Sequence, residues 1–469
     1  MTENSQIPIE IQQIIAPEDA YSYRVVPYAI NNQKYLCYTD AEDLEKLQNE
    51  LQVILNLSIE LTTEKSELVD TLLSKNYRIS SIQEAEAISY TQDFLEKILM
   101  TAKSIGSSDV HFEPFEEKCR VRYRLDGKLK EQFYIPIDEY PIIINKIKNR
   151  ASLDISQNRL PQDGRISMQI GTNEFDIRVS TLRTLHGESI VLRILSKDTS
   201  TINLADLGFT EEELKTYREA IKNPNGIVLI SGPTGSGKTT TLYATLKLLN
   251  EASTKILTIE DPIEYTLEGV NQVQLREDIG LDFPSAMRTF LRQDPDVIMV
   301  GEIRDVKTAN MAIRAALTGH LVLSTIHTNS AWATVSRLID MGVPPFLIAS
   351  TLNISVAQRL VRKLCTICKK ETSINVEEFP KSYKIPDDLK THYIAEGCQA
   401  CHHTGYSGRM ALYEIIPITK ELQTAIKAEH LEIDNYLSHN NIPQLKDHAT
   451  RLIKEGITSL DEVFSLLVH

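Results

Sequence analysis

The sequence of 469 residues contains no apolar run that approaches the roughly 18 residues needed to cross a bilayer as a helix. Its first residues, MTENSQIPIE, are polar and acidic, and they lack the apolar stretch of a secretory signal. We therefore expect a cytoplasmic protein. The chain also lacks an excess of positive charge, because 50 Lys and Arg residues stand against 64 Asp and Glu residues, a net charge of −14. This balance argues against bulk attraction to nucleic acid.

The sequence is also poor in cysteine, and four of its six cysteines form two CxxC pairs. The pairs are Cys365 with Cys368 and Cys398 with Cys401. Disulfides are not expected in a reducing cytosol, whereas two thiolates three positions apart can bind one metal ion from a tight turn. The pattern predicts a structural zinc site, with an excursion of the chain between the pairs. Four reduced cysteines without metal are the alternative, and a redox role is less favoured because neither pair has a thioredoxin-like setting.

With 42% hydrophobic and 24% charged residues, the composition is typical of a soluble globular protein, and the length suggests about three domains. Residues 1–80 predict a small acidic α/β module, since the first 75 residues hold 5 basic and 13 acidic side chains. Within it, apolar residues at helical spacing predict a helix with one buried face. These residues are Leu44, Leu47, Leu51, Ile54 and Leu55.

Residues 81–200 predict an arginine-rich α+β domain. The stretch CRVRYRLDGKLKEQF is typical of a hairpin, because apolar residues and arginines alternate before the turn signal Asp126-Gly127. Helices are predicted in TQDFLEKILMTAKSIG and PIIINKIKNRASL, and strands in EFDIRVSTL and SIVLRIL. Small and polar residues near STINLADLGF predict a linker at the end of this domain.

From residue 201 to the C-terminus, short apolar runs alternate with helical segments. The runs GIVLIS, KILTIE, DVIMV and LVLSTI are typical of strands that are buried on both faces of a parallel sheet. Helical stretches such as TTLYATLKLLNEA and VKTANMAIRAALT lie between them. This alternation of strands and helices predicts an α/β nucleotide-binding core.

The stretch GPTGSGKT between GIVLIS and the next helix matches the phosphate-binding P-loop. Its glycines let successive backbone N–H groups turn toward phosphate oxygens, Lys238 neutralises the β and γ phosphates, and the Thr239 hydroxyl ligates Mg²⁺. We therefore predict binding of ATP and Mg²⁺. The predicted nucleotide-binding residues are Gly232, Pro233, Thr234, Gly235, Ser236, Gly237, Lys238, Thr239 and Thr240.

Hydrolysis also needs carboxylates that hold the Mg²⁺ shell and position the attacking water. Two segments, TIEDPIEY and DPDVIMVGEIRD, carry carboxylates that follow or flank an apolar strand, which predicts a place at the sheet edge where phosphates bind. Solvated or capping carboxylates are the alternative. The spacing leaves open which of Glu260 and Glu302 acts as the base and which serves the metal. The candidates are Glu260, Asp261, Glu264, Asp296, Glu302 and Asp305.

Together, the P-loop, LRQDPDVIMVGEIRD at 291–305 and TGHLVLSTIHTNSA at 318–331 resemble the secretion ATPase superfamily, the assembly motors of type II secretion systems and type IV pili. The resemblance extends from about residue 80 to the C-terminus, and the two CxxC pairs narrow it to secretion and pilus-extension members. It implies a RecA-like ATPase domain over 201–469 with a zinc-binding insertion at about 362–412. A PAS-like α+β domain over 81–200 and a shortened N-terminal docking module over 1–80 would precede it.

The resemblance also implies roles for four residues of the core. Glu302 resembles the Walker B glutamate that organises Mg²⁺, and Glu260 resembles the water activator of the Asp box. His320 and His327 match the two histidines of the His box, which senses the γ-phosphate or the subunit contact.

The segments RLPQDGR at 159–165 and RVSTLRTLHGESIVLR at 178–193 resemble the second N-terminal domain of these motors. Arg178 and Arg193 are implied to reach the γ-phosphate when the two domains close. Guanidinium groups suit that task because they are always charged and match phosphate oxygens bidentately. Surface arginines on a twisted sheet are the alternative. Subsidiary candidates for phosphate or subunit contacts are Arg288, Arg292, Arg304 and Arg337.

For the whole chain, the resemblance implies an ATP-hydrolysing motor in the form of a homo-hexameric ring, peripheral to the inner membrane through its partners. Those partners would be a membrane platform protein and a cytoplasmic-side linker protein, and no direct nucleic-acid contact is expected. One alternative is a DNA-translocating or DNA-uptake motor, which would need a local basic patch within 120–193. Another is a scaffold that binds nucleotide without turnover, against which Lys238, Thr239, Glu260 and Glu302 argue. No cyclic-dinucleotide motif is visible in residues 1–80.

Overall fold

The computed structural model describes residues 93–171, 173–195 and 203–468, with shorter stretches before them: 11, 14–15, 19–20, 23–31, 34–41, 43–55, 58–66, 68–69, 72–73 and 86–87. The chain divides into two compact units, Met1–Ala87 and Ile88–His469. The predicted domain boundaries at 80/81 and 200/201 lie outside the described residues, as do residues 200–202 of the predicted linker. The division into three domains stays a prediction.

The first unit contains a three-stranded sheet in which β2 pairs antiparallel with β1 and parallel with β3. The predicted helix is present as α1, and Leu51 of its apolar face is fully buried. The sequence analysis did not predict β3, a strand of five residues in which Ile59 and Leu61 alternate with Glu60 and Thr62 and only Ile59 is buried. The elements are β1 (Val25–Asn31), β2 (Lys34–Thr39), α1 (Leu44–Leu55), β3 (Ile59–Thr63) and β4 (Glu86–Ala87).

The second unit begins with the predicted α+β domain, whose strands follow the order β7-β6-β5-β10-β9-β8. The predicted hairpin is confirmed, since β6 and β7 pair antiparallel around Asp126 and Gly127, with φ values of 46° and 86°. Positive φ at both central residues is the backbone of a tight two-residue hairpin turn. The elements are α2 (Phe94–Ser104), β5 (Asp109–Pro114), β6 (Lys118–Leu125), β7 (Lys128–Pro136), α3 (Tyr140–Arg150), β8 (Gln162–Ile170), β9 (Asn173–Thr184) and β10 (Gly187–Leu195).

The predicted α/β core follows, with a sheet in the order β13-β12-β14-β15-β11-β16-β19. All its pairings are parallel except that of β16 with β19. Helices pack on both faces, so the central strand β11 is buried along its whole length. The strands are β11 (Gly226–Ser231), β12 (Ile256–Glu260), β13 (Asn271–Gln274), β14 (Val297–Val300), β15 (Leu321–Ile326), β16 (Leu352–Leu364) and β19 (Tyr406–Pro417).

The helices of this core include one directly after the P-loop, as predicted. Another group at the C-terminus completes the apolar core on the side of β16 and β19. The helices are α4 (Glu211–Ile221), α5 (Lys238–Leu249), α6 (Phe283–Phe290), α7 (Val306–Leu317), α8 (Ala333–Asp340), α9 (Pro345–Thr351), α10 (Lys420–Lys427), α11 (Asp434–His439), α12 (Leu445–Lys454) and α13 (Leu460–Leu467).

The tetracysteine segment lies between the paired strands β16 and β19. It falls within the predicted insertion at about 362–412, since β16 continues to Leu364 and β19 begins at Tyr406. Its own elements are the antiparallel strands β17 (Lys369–Ser373) and β18 (Thr391–Ala395). Among the helices in the described parts of the chain, none is both long enough and apolar enough to cross a membrane.

Candidate functional site

The P-loop turns from the carboxyl end of β11 into α5. Gly232 and Gly237 have φ values of 148° and 87°, and a Cβ atom on Gly232 would lie 2.4 Å from the carbonyl oxygen of Gln358. Glycine is therefore required there by both conformation and space. The Lys238 ammonium donates to the carbonyl oxygens of Gly232 and Pro233 at 2.8 and 3.0 Å, and burial lowers its pKa.

A cavity of about 1210 Å³ separates the P-loop from the arginine-rich domain. Residues from both sides line it, so a bound nucleotide would contact both domains. A second cavity of about 410 Å³ adjoins Gly232 and Pro233 and shares His327 and Arg337 with the first. The polar residues of the larger cavity include Arg124, Arg193, Thr234, Ser236, Lys238, Thr239, Thr240, Glu260, Asp261, Glu264, Glu302, Arg304, His327, Arg337 and Arg409.

Arg193 stands on the arginine-rich side of this cavity. Its Nε donates to Asp109 Oδ1 at 2.9 Å, and Asp109 also accepts from Ser108 at 2.8 Å and faces Arg124 Nε at 3.2 Å. Burial alone would raise the pKa of Asp109, but the hydrogen bonds from Arg193 and Ser108 and the charges of Arg193 and Arg124 outweigh it and lower the pKa. Asp109 therefore stays ionised and orients both arginines.

Arg178 reaches the core beside the cavity. It donates to the carbonyl oxygen of Ile263, and its Nη1 lies 3.5 Å from Glu264 Oε2. Glu264 lines the cavity, whereas Arg178 is not among the lining residues. Of the two predicted phosphate-reaching arginines, only Arg193 thus faces the cavity in this conformation.

The carboxylates that follow β12 and β14 come together as expected for carboxyl ends of parallel strands. Glu302 forms an ion pair with Arg304, and His327 Nε2 lies 3.4 Å from Glu302 Oε2. Arg304 also lies 3.6 Å from Asp261. Glu260 is 3% exposed and accepts hydrogen bonds from Tyr243, Thr258 and Gln272.

Asp296 and His320 are not brought to the P-loop, which corrects the expectation for both. They precede β14 and β15, and the amino ends of parallel strands lie at the edge opposite the P-loop. Asp296 accepts from the backbone N–H of Lys255 at 2.7 Å, and His320 Nδ1 lies 2.9 Å from the carbonyl oxygen of Ala315. His320 is not among the residues that line the cavity of its own chain, and its subunit contact stays a prediction.

Three further candidates lie away from the cavity. Asp305 caps α7, because its carboxylate accepts from the backbone N–H groups of Lys307 and Thr308 at 2.8 and 2.9 Å. Asp305 thus matches the alternative in which a carboxylate caps a helix and does not bind the metal. Arg288 and Arg292 are exposed and do not line the cavity, so their subunit contacts stay predictions.

The four paired cysteines converge. Their Sγ atoms all lie within 4.8 Å of one another, with separations of 3.9, 3.8 and 3.7 Å for Cys365–Cys398, Cys368–Cys401 and Cys398–Cys401. A tetrahedral zinc ion with sulfur ligands at about 2.3 Å separates them by about 3.8 Å. The donor set therefore fits structural zinc.

With this geometry in hand, comparison with known proteins identifies the family. A profile of the family described as "Type II/IV secretion system protein" matches residues 84–465. The chain belongs to this family. The type IV pilus assembly ATPase PilB of Myxococcus xanthus is 44% identical over 411 residues, which cover 86% of this chain and 71% of PilB. The type II secretion system ATPase E of Vibrio cholerae is 37% identical over 500 residues, which cover 96% of this chain and 98% of that ATPase.

Among solved structures, the ATPase DotB of Legionella pneumophila superposes with a TM-score of 0.60 at 22% identity, covering 81% of this chain and 96% of DotB. At that identity the likeness shows the fold alone. Membership of the type II/IV secretion family confirms the predicted ATPase activity and the P-loop fold. It also implies a nucleotide and Mg²⁺ as cofactors.

Two arginines of the cavity of this family member had not been singled out as site candidates from sequence. Arg124 lies near the end of β6. In the sequence it was noted only as one of the arginines that alternate with apolar residues in the hairpin. Arg409 lies in β19, and its Nε is 3.7 Å from Asp126 Oδ1 of the hairpin turn. No local motif marks Arg409, because the pairing of β19 with β16 across the tetracysteine segment brings it to the cavity.

Proposed function

We propose that the chain hydrolyses ATP in the cavity between its arginine-rich domain and its P-loop core and thereby powers assembly of a type II secretion pseudopilus or a type IV pilus. The observation that carries this proposal is the shared cavity, in which Arg193 and Arg124 face Lys238, Glu302 and His327. A nucleotide bound there has its charge neutralised from two domains. The names of the relatives favour a secretion or pilus motor, and they do not favour the DNA-moving alternative.

In this proposal the backbone of residues 232–237 and Lys238 bind the phosphates. The Thr239 hydroxyl and the Glu302 carboxylate, both lining the cavity, offer the oxygen ligands that Mg²⁺ prefers, and the bound ion would neutralise charge on the β and γ phosphates. Glu260 serves as the candidate base for the attacking water, and Glu302 serves the metal. This division follows the motifs that the two residues resemble; Glu302 also forms an ion pair with Arg304 and lies 3.4 Å from His327 Nε2.

The arginines couple ATP hydrolysis to movement of the two domains. Arg193 contacts the γ-phosphate and Arg178 joins it when the two domains close, and both contacts weaken after the phosphate is lost. Closing and reopening of the cavity turns hydrolysis into domain rotation. Arg178 already contacts Ile263 and Glu264, and Glu264 lines the cavity, so the guanidinium stands beside the site that it would join on closure.

We further propose that six chains form a ring at the cytoplasmic face of the inner membrane, bound to a membrane platform protein and a linker protein. His320, Arg288 and Arg292 lie away from the cavity of their own chain and are available for contacts with a neighbouring subunit. His327 senses the γ-phosphate state through Glu302. The zinc segment acts as a rigid contact surface for partners and not as a catalyst.

Phosphate release by the purified protein tests the enzymatic part. Lys238→Ala should abolish turnover, because no other lysine among the described residues lines the cavity. Lys215→Ala, which removes an exposed lysine of α4, is the matched control and should keep the rate of the unmodified protein. Equal background rates for all three proteins would remove the enzyme proposal. Stimulation by single-stranded DNA would instead promote the DNA motor.

A further inference from the structure

The candidate base Glu260 is held by side chains from three different elements. Its Oε1 accepts from Thr258 Oγ1 at 2.6 Å and from Gln272 Nε2 at 3.2 Å, and its Oε2 accepts from the Tyr243 hydroxyl. Thr258 belongs to β12, Gln272 to β13 and Tyr243 to α5. With a residue exposure of 3%, Glu260 has little solvent to hold its orientation, so these donors set it.

Tyr243 is held on several sides. Its side chain is fully buried, and its ring packs edge-on against Tyr265 with a centroid distance of 4.6 Å. Burial and the neighbouring Glu260 carboxylate raise the pKa of Tyr243. The phenol therefore stays protonated and donates a hydrogen bond to the carboxylate. The same hydroxyl accepts from the backbone N–H of Glu264 and from Gln272 Nε2, both at 3.3 Å.

Gln272 is fixed just as firmly. Its Oε1 accepts from the backbone N–H of Leu267 at 2.7 Å, and its Nε2 also reaches the carbonyl oxygen of Tyr265 at 3.1 Å. Neither Tyr243 nor Gln272 is among the residues that line the cavity, whereas Glu260 is. Any effect of these two side chains on a nucleotide must therefore pass through Glu260, through the backbone, or through Tyr265, which packs on Tyr243 and lines the cavity.

We propose that Tyr243 and Gln272 are positioning residues that hold the Glu260 carboxylate in the orientation needed for ATP turnover. The inference rests on the proposed role of Glu260 as the base. A base must meet its proton at hydrogen-bond distance, and a displacement of about 1 Å can cost on the order of 100-fold in rate. Tyr243 and Gln272 impose that geometry without touching the nucleotide.

The first test replaces Tyr243 by phenylalanine, which removes one hydroxyl and keeps the ring. We expect kcat to fall about tenfold or more while KM for ATP changes less than about twofold, because the P-loop that binds the ground state is untouched. Tyr217→Phe is the matched control. Tyr217 of α4 is fully buried, and its hydroxyl lies 2.9 Å from Thr245 Oγ1 of α5, away from Glu260. The kcat and KM of the Tyr217→Phe protein should equal those of the unmodified protein.

A double-mutant cycle with Glu260→Gln separates the two proposals. Glu260→Gln alone should lower the single-turnover rate strongly, and adding Tyr243→Phe should then cost less than about twofold further, because residues that act as a unit are not additive. An unchanged rate in Glu260→Gln would refute the role of Glu260 itself. A large loss in Glu260→Gln combined with an equal further loss from Tyr243→Phe would leave that role standing and refute the positioning.

Gln272→Met keeps the test decisive if Tyr243→Phe does not fold. It preserves the approximate volume of the side chain and removes the donor to Oε1. We expect a lower kcat at nearly constant KM, as for Tyr243→Phe. When Gln272→Met is added to Glu260→Gln, the rate should fall little further. A rise in KM that accounts for the whole loss of kcat/KM would overturn the inference, because it would show that the side chain supports nucleotide binding.

Discussion

Replacement of Arg193 by alanine separates the structural use of this side chain from its proposed use in turnover. The Arg193 side chain is 57% exposed, and it is one of three partners of the Asp109 carboxylate, whose side chain is 5% exposed. The other two partners are Ser108 and the positively charged Arg124. Loss of Arg193 therefore leaves Asp109 with a charged and a neutral partner.

The expected loss of stability is small. A buried carboxylate that loses its only cation costs about 3–5 kcal/mol, but Asp109 keeps Arg124, so this case does not apply. The exposed position of Arg193 places its ion pair in the range of about 1 kcal/mol or less. For a unit of this size, that corresponds to a fall in Tm of about 3 °C at most.

The expected loss of turnover is large. Removal of one donor that stabilises charge in a transition state costs about 2.7–4 kcal/mol, or 10²- to 10³-fold in kcat. We expect the lower end, about 100-fold, because Arg124, Arg304 and Lys238 also line the cavity and share the charge. Nucleotide affinity should fall less than about fivefold, since the P-loop binds the ground state and the arginine contact strengthens on closure.

Steady-state phosphate release, calorimetric titration with a non-hydrolysable ATP analogue and thermal unfolding measure these three quantities. Arg183→Ala is the control, because Arg183 is exposed on β9, carries the same charge and is not among the cavity residues. A kcat of Arg193→Ala within about threefold of the unmodified protein would refute the proposed role. A fall in Tm far above 3 °C would show that Asp109 depends on Arg193 for its burial.

Two further predictions concern the metal segment and the first unit. Cys368→Ser should reduce bound zinc and solubility while nucleotide binding persists, because the cysteines are separate from the P-loop; metal analysis that finds no zinc in the unmodified protein would contradict this. The hydrogen bond from Arg24 is the main cause that lowers the pKa of Asp40 from 3.8 to about 2. A carboxyl group with a depressed pKa stabilises the folded state above its unfolded pKa, so the first unit should lose stability as the pH falls from about 4 to about 2. Hydrogen exchange of β1 and β2, corrected for intrinsic rates, should show this loss in the unmodified protein and a weaker pH dependence in Asp40→Asn.

Several features could be predicted because they depend on neighbours along the chain. The strand GIVLIS, the glycine turn and the helix that begins at Lys238 are encoded within about 25 residues. The turn at Asp126 and Gly127 depends only on which residues accept positive φ. The position of Asp296 and His320, at the sheet edge opposite the P-loop, could also have been predicted from the sequence, since each residue precedes a strand.

Other features could not be predicted because they join distant segments. Arg409 reaches the cavity only through the pairing of β16 with β19, and Gln272 reaches Glu260 only because β13 pairs with β12. Asp305 looked like a metal ligand as much as a cap until its contacts with Lys307 and Thr308 were known.

The sequence by itself determined the alternation of strands and helices in the P-loop core, the phosphate-binding turn and the two cysteine pairs, because backbone conformation and short spacings express local preferences. Only the tertiary structure decided which charged groups share one cavity and which carboxylate is enclosed by hydroxyl and amide donors. Those outcomes depend on the order of strands in the sheet and on the packing of two domains, and both are set by contacts between residues far apart in the chain.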